Sequence, residues 1–223
     1  MTIPHNSEDN HYNGLNPQLE ADKELKKEYL SGIDRLKRLI RGYGLTSIAL
    51  VAVGSLTRHD KGIRYNPKEE FIDSDADFVC IVKSPFIFKS LVGLNLLRTG
   101  QAVVLKQENE GKSLPKFSEH IPYFQVEFLT EQQCLKILQI QTGKLQDFKD
   151  DFFKNPPQSR DDFFDVLETI RSFKSAFIIY RHLDKGVLFD GEIPEKIKLI
   201  NDQISLLFRE IYLVLEDLRV KYP

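Results

Sequence analysis

Two cysteines in 223 residues, Cys80 and Cys134, are too few for a disulfide framework or a cysteine-built metal cluster. Both fall in apolar, regularly patterned segments, where a reduced thiol packs as a small hydrophobe, the usual state in the cytoplasm. Long apolar runs are missing as well: no stretch approaches the roughly 18 residues needed to cross a bilayer. The first 25 residues, MTIPHNSEDNHYNGLNPQLEADKEL, have neither a basic opening nor an apolar core. No secretory leader is expected from them, and a cytoplasmic location with no membrane partner is. Charge of one sign is not in excess either, since 31 Lys and Arg against 33 Asp and Glu leave a net charge of −2. That balance disfavours a general nucleic-acid binder but permits a local basic patch. Neither an internal repeat nor a low-complexity tract occurs. What remains is ordinary globular material, 41% hydrophobic and 29% charged, sufficient for a sizeable core.

Residues 1–17 are polar, carry Pro4, Gly14 and Pro17, and show no period, so a flexible N-terminal arm is expected there. From about Gln18 the pattern is helical: Leu25, Tyr29, Ile33, Leu36 and Ile40 recur at spacings of three and four. Gly42 and Gly44 end that helix. SIALVAV (Ser47 to Val53) is short, continuous and β-branched, the signature of a strand buried on both faces. The second half of DSDADFVCIV reads as another buried strand, FIFKSLVGLNLL (Phe86 to Leu97) as a helix, and QAVVLK (Gln101 to Lys106) as a third strand. In PYFQVEFL (Pro122 to Leu129), Phe124, Val126 and Phe128 alternate with Tyr123, Gln125 and Glu127, giving a fourth strand with two distinct faces. Thr130 and Gln133 then make a capping box for a helix through Cys134, Leu135 and Leu138.

At Asn155-Pro156-Pro157 the character changes, and everything beyond reads as helical, with a turn at HLDKGVLFDG. One apolar stripe joins Phe163, Val166, Leu167, Ile170, Phe173 and Phe177. Another runs Ile197, Ile200, Ile204, Leu207, Ile211, Val214, Leu218 in heptad-like steps. Leu199, Leu206, Phe208, Leu213 and Leu215 widen it beyond a bare coiled coil, so a bundle is expected, packed within the chain or across an interface with a second copy or a helical partner. His182 and Asp184 mark the polar end of the helix before the turn. The chain thus divides into an arm at 1–17, a central region at 18–154 and a helical region at 155–223.

The chemistry concentrates at three places. Gly54-Ser55 follows a buried strand, where a glycine lets the backbone turn sharply and approach an anion, and a serine adds a hydroxyl donor. Asp75-Ala76-Asp77 opens the next strand; residues two apart on extended chain share a face, so their carboxylates converge. Converging carboxylates repel unless a proton or a divalent cation neutralises them. Glu127 stands alone among apolar neighbours on its strand, where an unpartnered charge is costly. Three acids on strand ends beside an anion-ready turn suit a Mg²⁺-bound nucleoside triphosphate.

In VGSLTRHD, DSDADFVCIV and FQVEFL the chain resembles the nucleotidyltransferase superfamily, across roughly residues 45 to 130. The family's Gly-Ser pair falls on Gly54 and Ser55, its paired acids on Asp75 and Asp77, its third acid on Glu127. The resemblance implies an α+β fold, a mixed β-sheet flanked by helices, with an all-helical C-terminal bundle. It also implies transfer of a nucleoside monophosphate from an NTP to an acceptor hydroxyl, in a small molecule, a protein or an RNA end, with release of pyrophosphate. Asp75, Asp77 and Glu127 would hold two Mg²⁺ ions, Gly54 and Ser55 would cradle the phosphates, and Arg58 would contact the triphosphate. Two departures stand out: the interval from Ser55 to Asp75 is longer than is usual, implying an inserted turn or hairpin at Asp60 to Phe71, and the third acid is Glu rather than Asp. A non-catalytic nucleotide-binding protein, or one half of a toxin–antitoxin pair, is the alternative on the same fold.

Overall fold

The computed structural model of the chain describes residues 14–42, 45–57, 65–66, 71–72, 76–83, 102–106 and 123–222. Asn16 caps the first helix, α1 (Pro17–Ala21), by accepting the Gln18 N–H at 2.9 Å, and Pro17 occupies the first helical position. The chain then stops and restarts. Asp22 Oδ1 accepts the N–H groups of Glu24 and Leu25, so a short polar side chain competes with the helix backbone and begins a new helix, α2 (Lys23–Gly42). The expected single helix from Gln18 is therefore two. Leu15 and Asn16 are buried, so the part of the expected arm at 14–17 is packed into the fold.

Strand β1 (Ser47–Val53) follows, then a single 3₁₀ turn at Ser55–Thr57. The short strands β2 (Tyr65–Asn66) and β3 (Phe71–Ile72) pair antiparallel within the insertion after that turn. Strand β4 (Ala76–Val82), β5 (Ala102–Lys106) and β6 (Tyr123–Thr130) come next. Helix α3 (Glu131–Lys154) starts at the expected capping box: Gln133 N–H donates to Thr130 Oγ1, and Gln133 Oε1 accepts the Thr130 N–H. After the proline pair come α4 (Arg160–Ala176), α5 (Ile178–Lys185), β7 (Val187–Gly191) and α6 (Glu195–Lys221). The helix expected at 86–97 lies outside the described residues.

The main sheet is mixed and five-stranded, in the order β5-β6-β4-β1-β7. β4 runs antiparallel to β1 and parallel to β6, while β5 and β7 pair antiparallel at the two edges. Strand alternation separates two cores. Leu50, Ala52, Phe78, Cys80 and Val126 face α2, meeting Tyr29, Ile33, Leu36 and Ile40. Val51, Val53, Val79, Ile81 and Leu129 face the C-terminal helices, meeting Cys134, Leu138, Ile204, Leu207 and Ile211. Among the described residues, no helix is long and apolar enough to cross a membrane.

The expectation of an all-helical segment beyond residue 155 is corrected by β7. VLFDG pairs with β1 and covers an edge that a strand buried on both faces could not leave open. Gly191 ends it at φ +70°, with its α-carbon against the Ile48 carbonyl and the next N–H, from Glu192, donating to that same oxygen at 2.9 Å. The sheet and the C-terminal helices share one apolar cluster. Asp184 belongs to a contact between α5 and α6: Ser205 Oγ donates to Asp184 Oδ1 at 3.3 Å and lies 3.1 Å from the Tyr180 hydroxyl.

His182, on α5, has a buried Nδ1 with no hydrogen-bond partner among the described residues. Burial, reinforced by the Arg181 charge, pushes its pKa from 6.5 down to about 4. The unfolded chain then binds the proton more readily than the folded one, so stability is full above pH 6.5 and falls as pH drops towards 4. Urea unfolding between pH 7.5 and 4.5, about the span of that titration, is expected to show this slope in the wild type and a flatter one in His182→Leu. An identical slope in both would show that another group carries it.

Candidate functional site

The antiparallel pairing of β1 and β4 sets Val53 opposite Asp77, which brings the end of one strand to the start of the other. The residue after Val53 is Gly54, at φ +82°, a backbone conformation that residues with a β-carbon rarely adopt. Asp77 folds over it. An atom placed where a β-carbon of Gly54 would stand falls 2.5 Å from Asp77 Oδ2. Glycine is therefore required twice, for the turn and for the approach of the carboxylate. The Gly54 carbonyl accepts from the Thr57 hydroxyl at 3.2 Å, which tightens the 3₁₀ turn carrying Ser55.

Glu127 comes from the neighbouring strand. Because β4 and β6 are parallel, with Asp77 level with Gln125 and Val79 level with Glu127, both acids lie on one face of the sheet. Their α-carbons are about 8 Å apart, from a strand spacing of ~4.8 Å and a rise of ~3.3 Å per residue. That is close enough for two carboxylates of this length to reach a shared cation. Glu127 sits one step further from the rim and is half-buried, and burial raises its carboxyl above the usual range. Among the described residues it has neither a hydrogen bond nor an ion pair through its side chain.

Two neighbours report the field of these acids. The Cys134 thiol, on the first turn of α3, is pushed up to about 12, mainly by burial, with the charges of Glu127 and Glu131 adding to it. Tyr29, in the core on the opposite face, stacks with Phe78 at 6.3 Å between ring centroids. Its phenol is raised by burial first and by the Asp77 charge second.

The structure thus brings together Gly54, Ser55, Asp77 and Glu127. Asp75 and Arg58, the other residues expected at the site, lie outside the described residues. Among the described residues no group of three His, Cys, Asp or Glu side chains is clustered tightly enough to hold a metal ion, so the donors seen here are the carboxylates of Asp77 and Glu127. They are hard oxygen ligands, and the raised carboxyl of Glu127 would be relieved by a cation, which fits magnesium chemistry.

One residue was not picked out from the sequence. Asn16 donates through Nδ2 to the Ser55 carbonyl at 3.1 Å, and its own N–H donates to the Leu56 carbonyl at 2.9 Å. The available signal was Asn16-Pro17, a helix cap followed by a proline at the first helical position.

Gly54→Ala is expected to lower stability by about 1–3 kcal/mol, the range for enforced left-handed backbone, and to displace the Asp77 carboxylate. Gly143→Ala, inside α3 with nothing within 4 Å of the added carbon, should instead gain about 0.5–1 kcal/mol. Denaturant unfolding of the pair separates the two cases; equal effects would remove the special status of Gly54. For Glu127 the raised carboxyl means that the folded state holds its proton more tightly than the unfolded state, so the ionised form costs stability as pH rises. Glu127→Gln should accordingly be more stable than wild type at pH 7 to 8, with the advantage vanishing near pH 4, about the unperturbed carboxylate range. A constant difference across pH would mean that the carboxyl is not perturbed.

No family model, no curated protein and no solved structure matches this chain, so the geometry above carries the functional argument unaided.

Proposed function

We propose that the chain is a Mg²⁺-dependent nucleotidyltransferase, moving a nucleoside monophosphate from an NTP to an acceptor hydroxyl and releasing pyrophosphate. The observation that carries this reading is the Asp77 carboxylate laid over the glycine turn at Gly54, with Glu127 on the same sheet face one strand away. The order of the parts supports it: strand, Gly-Ser turn, antiparallel strand with Asp77 at its start, parallel strand bearing a further acid. So does the topology of a mixed sheet with helices on both faces.

In this reading Asp75, Asp77 and Glu127 would hold Mg²⁺. The metal, when bound, offsets triphosphate charge and makes the acceptor hydroxyl easier to deprotonate. Gly54 allows the backbone to come close to the phosphates, and the Ser55 hydroxyl donates to them. Arg58 would add a charged donor to the same tail. Glu127 would either join the two aspartates on Mg²⁺ or, left off the metal and ionised, accept the acceptor's proton itself as the bond to the α-phosphate forms and pyrophosphate departs, burial having raised the basicity of its carboxylate.

A second reading, a non-catalytic partner-binding protein on the same fold, draws on one observation. Leu199, Leu206, Leu213 and Val220 stand seven residues apart along α6 and are 59%, 54%, 56% and 86% exposed. That stripe faces away from the buried seam at Ile197, Ile204 and Ile211.

Calorimetric titration of ATP or GTP with Mg²⁺ tests the first reading, with Asp77→Ala alongside. The wild type is expected to bind only with Mg²⁺ and the variant not to. Incubation with α-labelled NTPs and a cell lysate should leave label on RNA, protein or a small molecule, with transfer by Asp77→Ala down by ~10²–10³-fold or more. Equal binding by wild type and variant would overturn the site assignment. Metal-dependent binding without any label transfer would favour the second reading.

A further inference from the structure

Asn16 is fully enclosed, and hydrogen bonds to four described residues tie it in place. Its Oδ1 accepts from Gln18 N–H and its carbonyl from Glu20 N–H, both within α1. Two others leave the helix for the turn after β1: Nδ2 to the Ser55 carbonyl, 39 positions away, at 3.1 Å, and the backbone N–H to the Leu56 carbonyl at 2.9 Å. One residue therefore joins the start of α1 to two successive peptides of the turn after β1, through its side chain at Ser55 and its backbone N–H at Leu56. Leu15, Leu19 and Leu56 close apolar contacts around it, each nearly or fully buried.

The orientation of those peptides matters more than their attachment. In a planar trans peptide the carbonyl of one residue and the N–H of the next point in opposite directions. Holding the Ser55 and Leu56 carbonyls towards Asn16 turns the Leu56 and Thr57 N–H groups away from it, and Thr57 N–H then meets the Gly54 carbonyl at 3.4 Å. A peptide flip at either position would present an oxygen to any anion approaching the turn. The flip would also slacken the bonds between Thr57 and Gly54, on which the left-handed glycine and its contact with Asp77 depend.

We infer that Asn16 is a positioning residue for the triphosphate-binding turn: it clamps the Ser55 and Leu56 carbonyls from behind and so sets the affinity of the Gly54–Ser55 turn for phosphate. This rests on the reading of the site as nucleotide-binding. No contact between Asn16 and nucleotide is required, since its effect passes through the turn.

Asn16→Ser and Asn16→Gly test it together. Both residues are accepted helix caps, so α1 is kept at small cost, and neither carries the side-chain amide that donates to Ser55. Hydrogen exchange at residues 55–57 should speed up by about tenfold, the scale of one hydrogen bond, while exchange in β1 stays as in wild type. Affinity for MgATP should fall by a similar factor, about tenfold. Unchanged exchange at the turn overturns the clamp and leaves the nucleotide reading standing. Faster exchange with unchanged MgATP affinity overturns the positioning role, because a merely structural bond would give that result. A wild type that binds no MgATP overturns the positioning role and the reading of the site together, a result separable from the other two by the wild-type titration alone.

Discussion

The rung that pairs Val53 with Asp77 is the contact on which the candidate site depends. It joins the C-terminal end of one strand to the N-terminal end of the next, so a turn and an acid far apart in sequence become neighbours. The left-handed Gly54 then leaves room for the carboxylate where any side chain would stand. A negative group held against backbone at a sheet rim also raises its surroundings electrostatically. The Tyr29 phenol, in the core beneath, is raised chiefly by burial and further by the Asp77 charge. The same rung decides which face of β4 carries the acid, because strand alternation is strict.

That choice of face links the C-terminal helices to the site. Asp77 and Glu127 lie on the face that carries Val79, Ile81 and Leu129, which pack on α3 and α6. The helical layer covers this face over most of its area and leaves Asp77 and Glu127 partly exposed. The C-terminal segment is thus a packing partner of the face that carries both acids. It also supplies β7, which pairs along β1 with a register shift between Leu50 and Val51. Truncating it would remove an edge, a core and the surroundings of Glu127 at once.

Much of this was legible in the residues. Runs such as SIALVAV and the alternation in PYFQVEFL gave strands because burial on one or two faces writes itself into side-chain period. The box at Thr130 and Gln133 marked a helix start, since capping is local chemistry. Residue type and strand parity also anticipate the placement seen here, with Asp77 against Gly54 and Glu127 on the same sheet face one strand away. What escaped was non-local or weakly patterned. β7 is a five-residue strand with only three apolar side chains, and its pairing is decided by the open edge of β1 rather than by its own propensity. Asn16 escaped because its two outward bonds go to backbone carbonyls, and backbone acceptors carry no residue signature. The break at Asp22 shows a third limit: an apolar period runs smoothly across it, while one carboxylate oxygen settles the matter locally.

Two positions argue that the rim is kept for something other than stability. Glu127 is half-buried and, among the described residues, unpaired, so an aliphatic residue there would pack without a desolvation penalty. Gly54 carries the entropic cost of glycine and lies beneath a carboxylate that excludes any larger residue. Either alone could be an accident of one position. Their placement on adjoining elements around Asp77 is harder to attribute to packing, because each unfavourable choice serves the same outcome: a pair of oxygen-rich side chains held close to bare backbone. Local choices that oppose folding and agree with one another are the usual mark of a functional site. Under the proposed reading, a cation held between those acids would offset the desolvation cost that burial imposes on the ionised Glu127.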